Sequence, residues 1–175
     1  MITTSHNPLY WSVLDETEWK LHIAATEDGL CFVGSLGQSL DELTKWAGSR
    51  CPQRALIRDD DKLSPYMREL APYVQGQLKQ FTVPLSYWGT PFQQAVWQAL
   101  RHIPYGQTCS YSDVAHSIGK PAAVRAVGAA IGANPLQIVI PCHRVIGKGG
   151  ALTGYRGGID MKSKLLELEK ISAQP

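Results

Sequence analysis

The sequence predicts an α+β protein, in which an N-terminal α/β domain precedes a mainly helical C-terminal domain with a helix-turn-helix. Strand-like runs dominate the N-terminal part, capped amphipathic helices follow residue 88, and two short helices flank a glycine-containing turn. The 175 residues are 44% hydrophobic, enough to bury an ordinary core in one large domain or two small ones. We predict an N-terminal domain at residues 1–78, a crossover segment at 79–87 and a C-terminal domain at 88–175.

The N-terminal domain begins with a predicted strand pair. Residues 19–37 read WKLHIAATEDGLCFVGSLG, in which two β-rich runs flank the turn residues 27–29. A helix is expected after Ser39, which has Glu42 at the capping-box spacing. A second helix is expected to begin at Ser64-Pro65, and Pro72 should kink or divide it. None of these segments carries a catalytic pattern.

The C-terminal domain opens with a helix whose start is clearly marked. In TPFQQAVWQALRHIP, Thr90 is the predicted N-cap, proline follows at the first turn, and Gln93 occupies the capping-box position. Apolar residues share one face of this segment, and Pro104 ends it. We therefore expect a core helix.

Two shorter helices follow around a tight turn. The first is capped by Ser110 with Asp113 at the capping-box position, the turn is Gly119-Lys120-Pro121, and the second helix is expected from about residue 122 to 131. This arrangement is typical of a helix-turn-helix, although an ordinary helical hairpin has the same local pattern.

The charge distribution favours a nucleic-acid partner for the second half. Residues 1–78 contain 7 Lys+Arg and 11 Asp+Glu, a net charge of −4, whereas residues 79–175 contain 10 and 4, a net charge of +6. A basic domain is the electrostatic pattern that phosphate backbones attract, although scattered surface lysines can reach the same total.

The cysteines and the N-terminus point to the cytoplasm. The four cysteines, at 31, 51, 109 and 142, form neither a CxxC pair nor a close cluster with histidines, so we expect reduced thiols without a zinc site or disulfide. The first residues lack the features of a signal peptide, and no apolar stretch is long enough to cross a bilayer. We therefore expect a cytoplasmic protein without a membrane partner.

The octamer IVIPCHRV, residues 138–145, places a cysteine beside a histidine after a proline. Residues 138–140 read as a buried strand, and Pro141 should end it because proline lacks an N–H. Cys142 would then lie at the mouth of the core. A lone cysteine is more often a small buried apolar residue than a nucleophile, so the octamer alone favours packing and leaves nucleophilic chemistry as the alternative.

The second short helix is unusually rich in small residues. Between Pro121 and Gly132, Arg125 is its one long polar side chain, and alanine and glycine occupy much of the rest. This helix can therefore make few contacts to base edges, but its backbone can approach a DNA groove closely. The alternative is that the alanines pack against the preceding helix.

Five segments together resemble a known family. TPFQQAVWQAL, GQTCSYSDVA, PAAVRAVGAAIGANP, IVIPCHRVIG, and GYRGG followed by a lysine and LLELE occur in the order and spacing of the O6-alkylguanine-DNA alkyltransferases, the methylated-DNA–protein-cysteine methyltransferases. The resemblance is specific from about residue 88 to 170. Residues 1–78 match only in position, size and α/β character. The resemblance implies a ribonuclease H-like N-terminal domain and a helix-turn-helix of winged-helix type.

The resemblance also implies catalytic roles. Cys142 would accept the alkyl group from O6 of guanine, and His143 would act as its base through a bridging water. Glu169 would orient the histidine, with Glu167, more simply read as a solvated helix residue, as the alternative. This relay is expected to lower the pKa of the Cys142 thiol. Asn134 would tie the second helix to the active-site strand, although a plain helix-ending asparagine explains the residue type equally well.

Further residues are implied to bind DNA and the damaged base. Arg125 would fill the space left by a flipped nucleotide, and Tyr111 would press on the 3′ phosphate and offer its hydroxyl to guanine N3. Arg156 stands where many relatives carry a small residue, which leaves the range of accepted alkyl groups open. The DNA-binding set is Tyr111, Arg125, Ala126 and Gly128, and the pocket set is Tyr111, Val145, Tyr155 and Arg156.

The implied activity is stoichiometric DNA repair. An S-alkylcysteine is a stable thioether, so each molecule should accept one alkyl group irreversibly from O6-alkylguanine, or from O4-alkylthymine, in double-stranded DNA. The resemblance implies a monomer that needs no metal, cofactor or obligate protein partner. Two other classes remain: a non-catalytic sensor of alkylated DNA, whose members lack the acceptor cysteine that this chain keeps, and a cysteine hydrolase.

Overall fold

The computed structural model describes residues 6–174 and consists of a four-stranded sheet followed by a mainly helical region. This arrangement confirms the predicted α+β class. The strands are β1 (Leu9–Glu16), β2 (Trp19–Thr26), β3 (Gly29–Val33), β4 (Leu56–Arg58), β5 (Cys109–Ser110) and β6 (Val145–Ile146). The helices are α1 (Leu40–Arg50), α2 (Asp60–Val74), α3 (Pro91–Arg101), α4 (Tyr111–Ser117), α5 (Val124–Gly132) and α6 (Ile159–Ser172).

The sheet has the strand order β3-β2-β1-β4. The β2–β3 hairpin confirms the predicted strand pair, and β1 is antiparallel to β2 but parallel to β4. Strands β1 and β4 were not predicted. β4 is three residues long and mostly exposed, so it carries almost no hydrophobic pattern of its own.

The crossover segment runs along the free edge of β3. The backbone N–H of Leu30 donates to the carbonyl of Pro84 at 2.9 Å, and that of Ser86 donates to the Leu30 carbonyl at 2.8 Å. A Cβ atom on Gly29 would lie 2.6 Å from the Pro84 carbonyl oxygen. Glycine at this position therefore allows the close approach of the two chains.

Three predictions for the N-terminal helices were wrong in detail. Ser39 caps α1 by accepting from the N–H of Asp41 at 3.3 Å, but no capping box forms, because the Glu42 carboxylate accepts from the Ser35 N–H at 2.8 Å instead. Helix α2 begins at residue 60 and not at Ser64-Pro65, since Asp59 caps it by accepting from the N–H of Lys62 at 3.0 Å. This helix continues through Pro72 to residue 74 without division.

The predicted starts of α3 and α4 are confirmed. Both form capping boxes, with Thr90 and Gln93 in α3 and with Ser110 and Asp113 in α4. Helix α5 begins at Val124, about two residues later than predicted, and has no side-chain cap. The local hydrogen bonds that start α3 and α4 are therefore absent at α5.

One hydrophobic core joins the sheet to the helical region. Leu21 of β2, Tyr73 of α2 and Leu165 of α6 are fully buried in the same cluster. The indole N–H of Trp97 in α3 donates to the Ala130 carbonyl of α5 at 2.8 Å. The shared core fixes the helical region against the sheet, and the division at residues 79–87 stays a prediction.

The strand predicted at Ile138–Ile140 is wrong, although the three residues are buried. The chain turns here: Ile138 has a φ of 74°, and the N–H of Ile140 donates back to the Leu136 carbonyl at 2.9 Å. A positive φ at a β-branched residue is incompatible with a strand. Within residues 6–174, the structure contains no helix both long and apolar enough to cross a bilayer.

Candidate active site

Cys142 lies in a short 3-10 helix, Cys142–Arg144, directly after Pro141. Its N–H donates to the Ile140 carbonyl at 2.7 Å, and the side chain is 2% exposed. Successive side chains in a 3-10 helix are about 120° apart, so Cys142 and His143 point in different directions. The helical turn therefore separates the two side chains.

Asn134 holds the cysteine from the end of α5. Its side-chain amide donates to the Cys142 sulfur at 3.2 Å and to the Ile140 carbonyl at 2.9 Å, and its Oδ1 accepts from the N–H of Leu136 at 2.9 Å. Asn134 is 1% exposed. The turn that follows α5 is therefore wound around this one side chain, with the thiol at its end.

Glu169 of α6 gathers a buried network of donors. Its carboxylate accepts from His143 Nε2 at 2.8 Å and from Arg144 through Nε and Nη2, both at 2.8 Å. The hydroxyl of Tyr73 donates to the same carboxylate in a very short hydrogen bond. The planar Arg144 fork fits the carboxylate in two-point geometry, which fixes the orientation of Glu169. Glu167, the alternative partner, is exposed.

These contacts determine the charge states of the relay. Burial opposes ionisation of Glu169, but the hydrogen bonds from His143 and Arg144 outweigh burial and hold the pKa of the carboxyl well below its ordinary value. Burial also lowers the pKa of His143, despite the opposing effect of Glu169. His143 is therefore neutral at pH 7, and with Nε2–H directed at the carboxylate, Nδ1 is its basic nitrogen.

The Cys142 thiol differs from the sequence-based expectation. Burial raises its pKa, and this effect exceeds the opposing influence of the Asn134 hydrogen bond and the Lys162 charge. The expected lowering of the thiol pKa was therefore wrong for the resting site, because the thiol is fully enclosed. The resting side chain is a neutral thiol that needs a base before it can act as a nucleophile.

Of the other predicted pocket residues, Tyr155 and Arg156 interact with the same thiol, and Val145 lies in the adjacent strand. Val145 is fully buried in β6, and its carbonyl accepts from the ammonium of Lys162 at 2.6 Å. Tyr155 is 9% exposed, and burial together with the neighbouring Cys142 raises the pKa of its phenol well above the ordinary value. The Arg156 guanidinium donates to the Asn134 carbonyl at 2.9 Å.

The predicted DNA-binding residues form a separate, more exposed surface. Arg125 and Ala126 are exposed on α5, and Arg125 forms no hydrogen bond or ion pair within residues 6–174. Tyr111 of α4 is half-buried, and a Cβ atom on Gly128 would lie 3.9 Å from its ring. The structure therefore brings Tyr111 and Gly128 together, while Arg125 projects freely.

Three residues of the site were not predicted from the sequence. Tyr73 and Glu42 come from the N-terminal half and have no motif that points to Cys142. Lys162 was visible as the lysine that follows GYRGG, but its burial and its contacts to two backbone carbonyls were not. Within residues 6–174 there is no cluster of three or more histidine, cysteine or acidic side chains arranged to bind a metal ion.

Two family models match the chain. Residues 9–87 match the ribonuclease-like domain of 6-O-methylguanine DNA methyltransferase, and residues 91–171 match the DNA-binding domain of the same family. Together they cover most of the sequence, including Cys142 and Glu169.

Individual proteins agree with these models. The inducible methylated-DNA–protein-cysteine methyltransferase of Bacillus subtilis is 60% identical over 167 residues, which cover 95% of this chain and 93% of that protein. The constitutive enzyme of the same organism is 43% identical over 164 residues, covering 93% of this chain and 96% of that protein.

Solved structures are similar along nearly the whole chain. The crystal structure of the O6-methylguanine methyltransferase of Mycobacterium tuberculosis has a TM-score of 0.81 and 41% identity, and covers 95% of each chain. The Mycobacterium tuberculosis OGT protein in complex with DNA also has a TM-score of 0.81, with 42% identity, and covers 93% of this chain and 94% of that chain.

Proposed function

The chain belongs to the 6-O-methylguanine DNA methyltransferase family, and from this premise we propose that Cys142 is the residue that accepts the alkyl group from O6 of guanine in DNA. The chain is a methylated-DNA–protein-cysteine methyltransferase and acts in DNA repair by alkyl transfer. The observation that carries the assignment is one buried thiol that accepts a hydrogen bond from the Asn134 amide and is followed directly in the chain by His143, which Glu169 holds.

The reaction is a displacement at a saturated carbon. The Cys142 sulfur forms a bond to the alkyl carbon while the bond from that carbon to guanine O6 breaks, and the electron pair of the broken bond stays with the base. The thiol proton passes through a water molecule to Nδ1 of His143. This nitrogen is buried and has no protein hydrogen-bond partner within residues 6–174, which supports it as the proton acceptor.

Two tyrosines have supporting roles. Burial keeps the Tyr155 phenol protonated, so it can donate a hydrogen bond at the reacting centre. Tyr111 accepts a hydrogen bond from the Thr153 hydroxyl at 3.3 Å, and its own hydroxyl hydrogen is available to guanine N3. Donation to N3 compensates the negative charge that develops on the departing base.

Each molecule is proposed to act once. The product thioether carries no activated carbon that water can attack, and nothing in the relay regenerates the thiol. The test is intact-mass measurement after incubation with duplex DNA that contains O6-methylguanine. We expect one methyl group per chain, mapped to the peptide that contains Cys142. Methylation at another cysteine, or repeated turnover of damaged DNA or of an activated ester, would contradict the proposal.

The same premise supports finer assignments of fold and partner. Antiparallel and parallel pairing in one small sheet supports a ribonuclease H-like N-terminal domain. The short β5–β6 pair, whose strand β5 packs beside α4, supports a helix-turn-helix of winged type. The small residues Ala126 and Gly128 let α5 approach the minor groove of DNA closely. As a second substrate we propose O4-alkylthymine in DNA.

Arg125 is proposed to replace the flipped nucleotide in the base stack. We therefore expect Arg125→Ala to slow repair of O6-methylguanine in duplex DNA about tenfold or more, because the variant cannot offset the unstacking cost of a few kcal/mol. Reaction with the free base O6-benzylguanine should be nearly unchanged, since it requires no flipping. Single-turnover rates on both substrates provide the measurement.

The salt dependence of DNA binding gives a second test of the proposed role of Arg125. Loss of one positive charge from the DNA interface should reduce the salt slope of DNA binding by about one. Tyr111→Ala removes no charge and should leave that slope unchanged while it impairs both flipping and base recognition. Equal slowing of Arg125→Ala on duplex and free base would instead assign Arg125 to the pocket or to folding.

A further inference from the structure

Arg156 connects the two halves of the protein at the acceptor cysteine. Its Nη1 donates to the Asn134 carbonyl at 2.9 Å, and its Nη2 lies 3.5 Å from a carboxylate oxygen of Glu42 in α1. The guanidinium carbon lies 5.1 Å from the centre of the Phe32 ring. The side chain is 23% exposed, so three neighbours restrict a largely buried cation.

Arg156 hydrogen-bonds to Asn134, the same residue that contacts the Cys142 thiol. Asn134 uses its backbone carbonyl for Arg156 and its side-chain amide for the Cys142 sulfur, at 3.2 Å. A shift of the Asn134 backbone therefore moves the amide that contacts the sulfur. Arg156 itself does not need to touch the reacting atoms to influence them.

The far end of this connection is anchored in the N-terminal half. One Glu42 oxygen accepts from the Ser35 N–H at 2.8 Å and faces Arg156 as well. Beside it, the N–H of Val33 donates to the Pro135 carbonyl at 2.9 Å, and the Gln137 amide donates to the Ser35 hydroxyl at 3.0 Å. The end of β3 thus supports the whole segment that surrounds Asn134.

We propose that Arg156 is a positioning residue for alkyl transfer, which fixes Asn134 against Cys142 and is itself oriented by Glu42. The inference rests on the proposed role of Cys142 as acceptor. It gives the N-terminal half a part in the chemistry, because Glu42, Ser35 and Val33 set the position of the segment that holds the thiol.

A simpler reading is that Arg156 acts only through its positive charge. Lys162 and Tyr155 also interact with the thiol, so charge matters at this site. The two readings predict opposite results for Glu42→Gln. If only charge matters, removal of a carboxylate makes the thiol easier to ionise and speeds the reaction. If position matters, the guanidinium loses its anchor and the reaction slows.

The experiment compares four variants by the single-turnover rate with O6-benzylguanine as a function of pH. Arg156→Ala is expected to react about tenfold more slowly at neutral pH, which corresponds to the loss of one hydrogen bond to a charged group. Arg156→Lys should be slowed nearly as much, because one ammonium cannot reach both the Asn134 carbonyl and Glu42. Glu42→Gln should be several-fold slower, and the slowing of all three variants should diminish as the pH approaches the raised pKa of the Cys142 thiol.

Lys164→Ala is the matched control. It breaks another ion pair between the two halves, Lys164 to Glu18 at 2.5 Å, and neither residue is a hydrogen-bond partner of Asn134 or Arg156. It should react at the wild-type rate. A wild-type rate for Arg156→Lys, a faster Glu42→Gln, or equal slowing of the control would overturn the positioning role, and thermal melts identify any variant that is merely unfolded.

A second readout separates this inference from the proposed function. Modification of Cys142 by an aromatic disulfide, followed by peptide mapping, reports the reactivity of the thiol without any alkyl transfer. If wild-type protein gains no alkyl group from damaged DNA, the proposed function fails, yet slower labelling of Arg156→Lys and Glu42→Gln would still support positioning. If wild-type protein is alkylated but labelling is equal in all variants, only the positioning role fails.

Discussion

Replacing Cys142 with alanine is expected to abolish alkyl transfer, with no methyl group on the protein after prolonged incubation with O6-methylguanine DNA. The Asn134 amide and the His143 relay would remain, but no atom at their focus could form the new bond. Binding of damaged duplex DNA should persist, because the proposed DNA surface on α4 and α5 is unchanged. Intact mass and an equilibrium binding assay on the same sample provide the two measurements.

Two controls sharpen the Cys142 result. Cys51→Ala removes a half-buried thiol in the N-terminal half and should leave transfer unchanged. Cys142→Ser keeps the size of the side chain but substitutes a hydroxyl, which is far harder to ionise than a thiol, and should also be inactive. A Cys142→Ala protein that still gained one methyl group would assign the acceptor elsewhere. The small loss of buried contact should cost about 1 kcal/mol of folding free energy.

Replacing Glu169 with glutamine should have the second largest effect, slowing transfer at neutral pH about 10²-fold or more. The variant retains the shape of the side chain but removes the charge that stabilises protonated His143. The wild-type rate should be constant above the ordinary histidine pKa of 6.5, since burial lowers the pKa of His143 and keeps the ring neutral there. The rate should fall only at more acidic pH.

The pH dependence separates a chemical role of Glu169 from a structural one. As the pH approaches the raised pKa of Cys142, hydroxide can remove the thiol proton directly, and the variant should approach the wild-type rate. Slowing by the same factor at every pH would show that Glu169 only supports the fold. Glu167→Gln, on the exposed face of the same helix, is the matched control. It should transfer the alkyl group at the wild-type rate at every pH.

Glu169→Gln should also destabilise the protein, because it leaves the Arg144 charge buried without its counter-ion, at a cost of about 3 kcal/mol. Rates must therefore be compared well below the melting temperature of the variant. The folded-state pKa of Glu169 is lowered, so its stabilising contribution is complete above the ordinary carboxyl value of 4.5 and is lost as the pH falls below it. Glu169→Gln should lack this acid-sensitive contribution.

Several features were determined by the sequence alone. The starts of α3 and α4 were predictable because Thr90 with Gln93, and Ser110 with Asp113, form hydrogen bonds within one helical turn. The β2–β3 hairpin was predictable for the same local reason. The family, and Cys142 as the proposed acceptor, followed from motifs whose order and spacing are read directly from the chain.

Other features were decided only by the tertiary structure. Glu42 has the spacing of a capping box, but a nearby backbone N–H and Arg156 compete for its carboxylate. Ile138 has the pattern of a strand, yet the buried amide of Asn134 stabilises a turn around it. Both outcomes depend on partners that are remote in sequence or on backbone angles that side-chain patterns do not encode.

The charge state of the Cys142 thiol is the clearest example of a property that only the tertiary structure decides. The neighbouring histidine and glutamate suggested a lowered pKa for Cys142, whereas burial raises it. Tyr73 likewise joins the Glu169 carboxylate from a helix 96 residues earlier in the chain, without any motif that indicates it. Short-range hydrogen bonds follow from the order of the residues, but desolvation depends on everything that packs around a group, so it is determined only when the chain is folded.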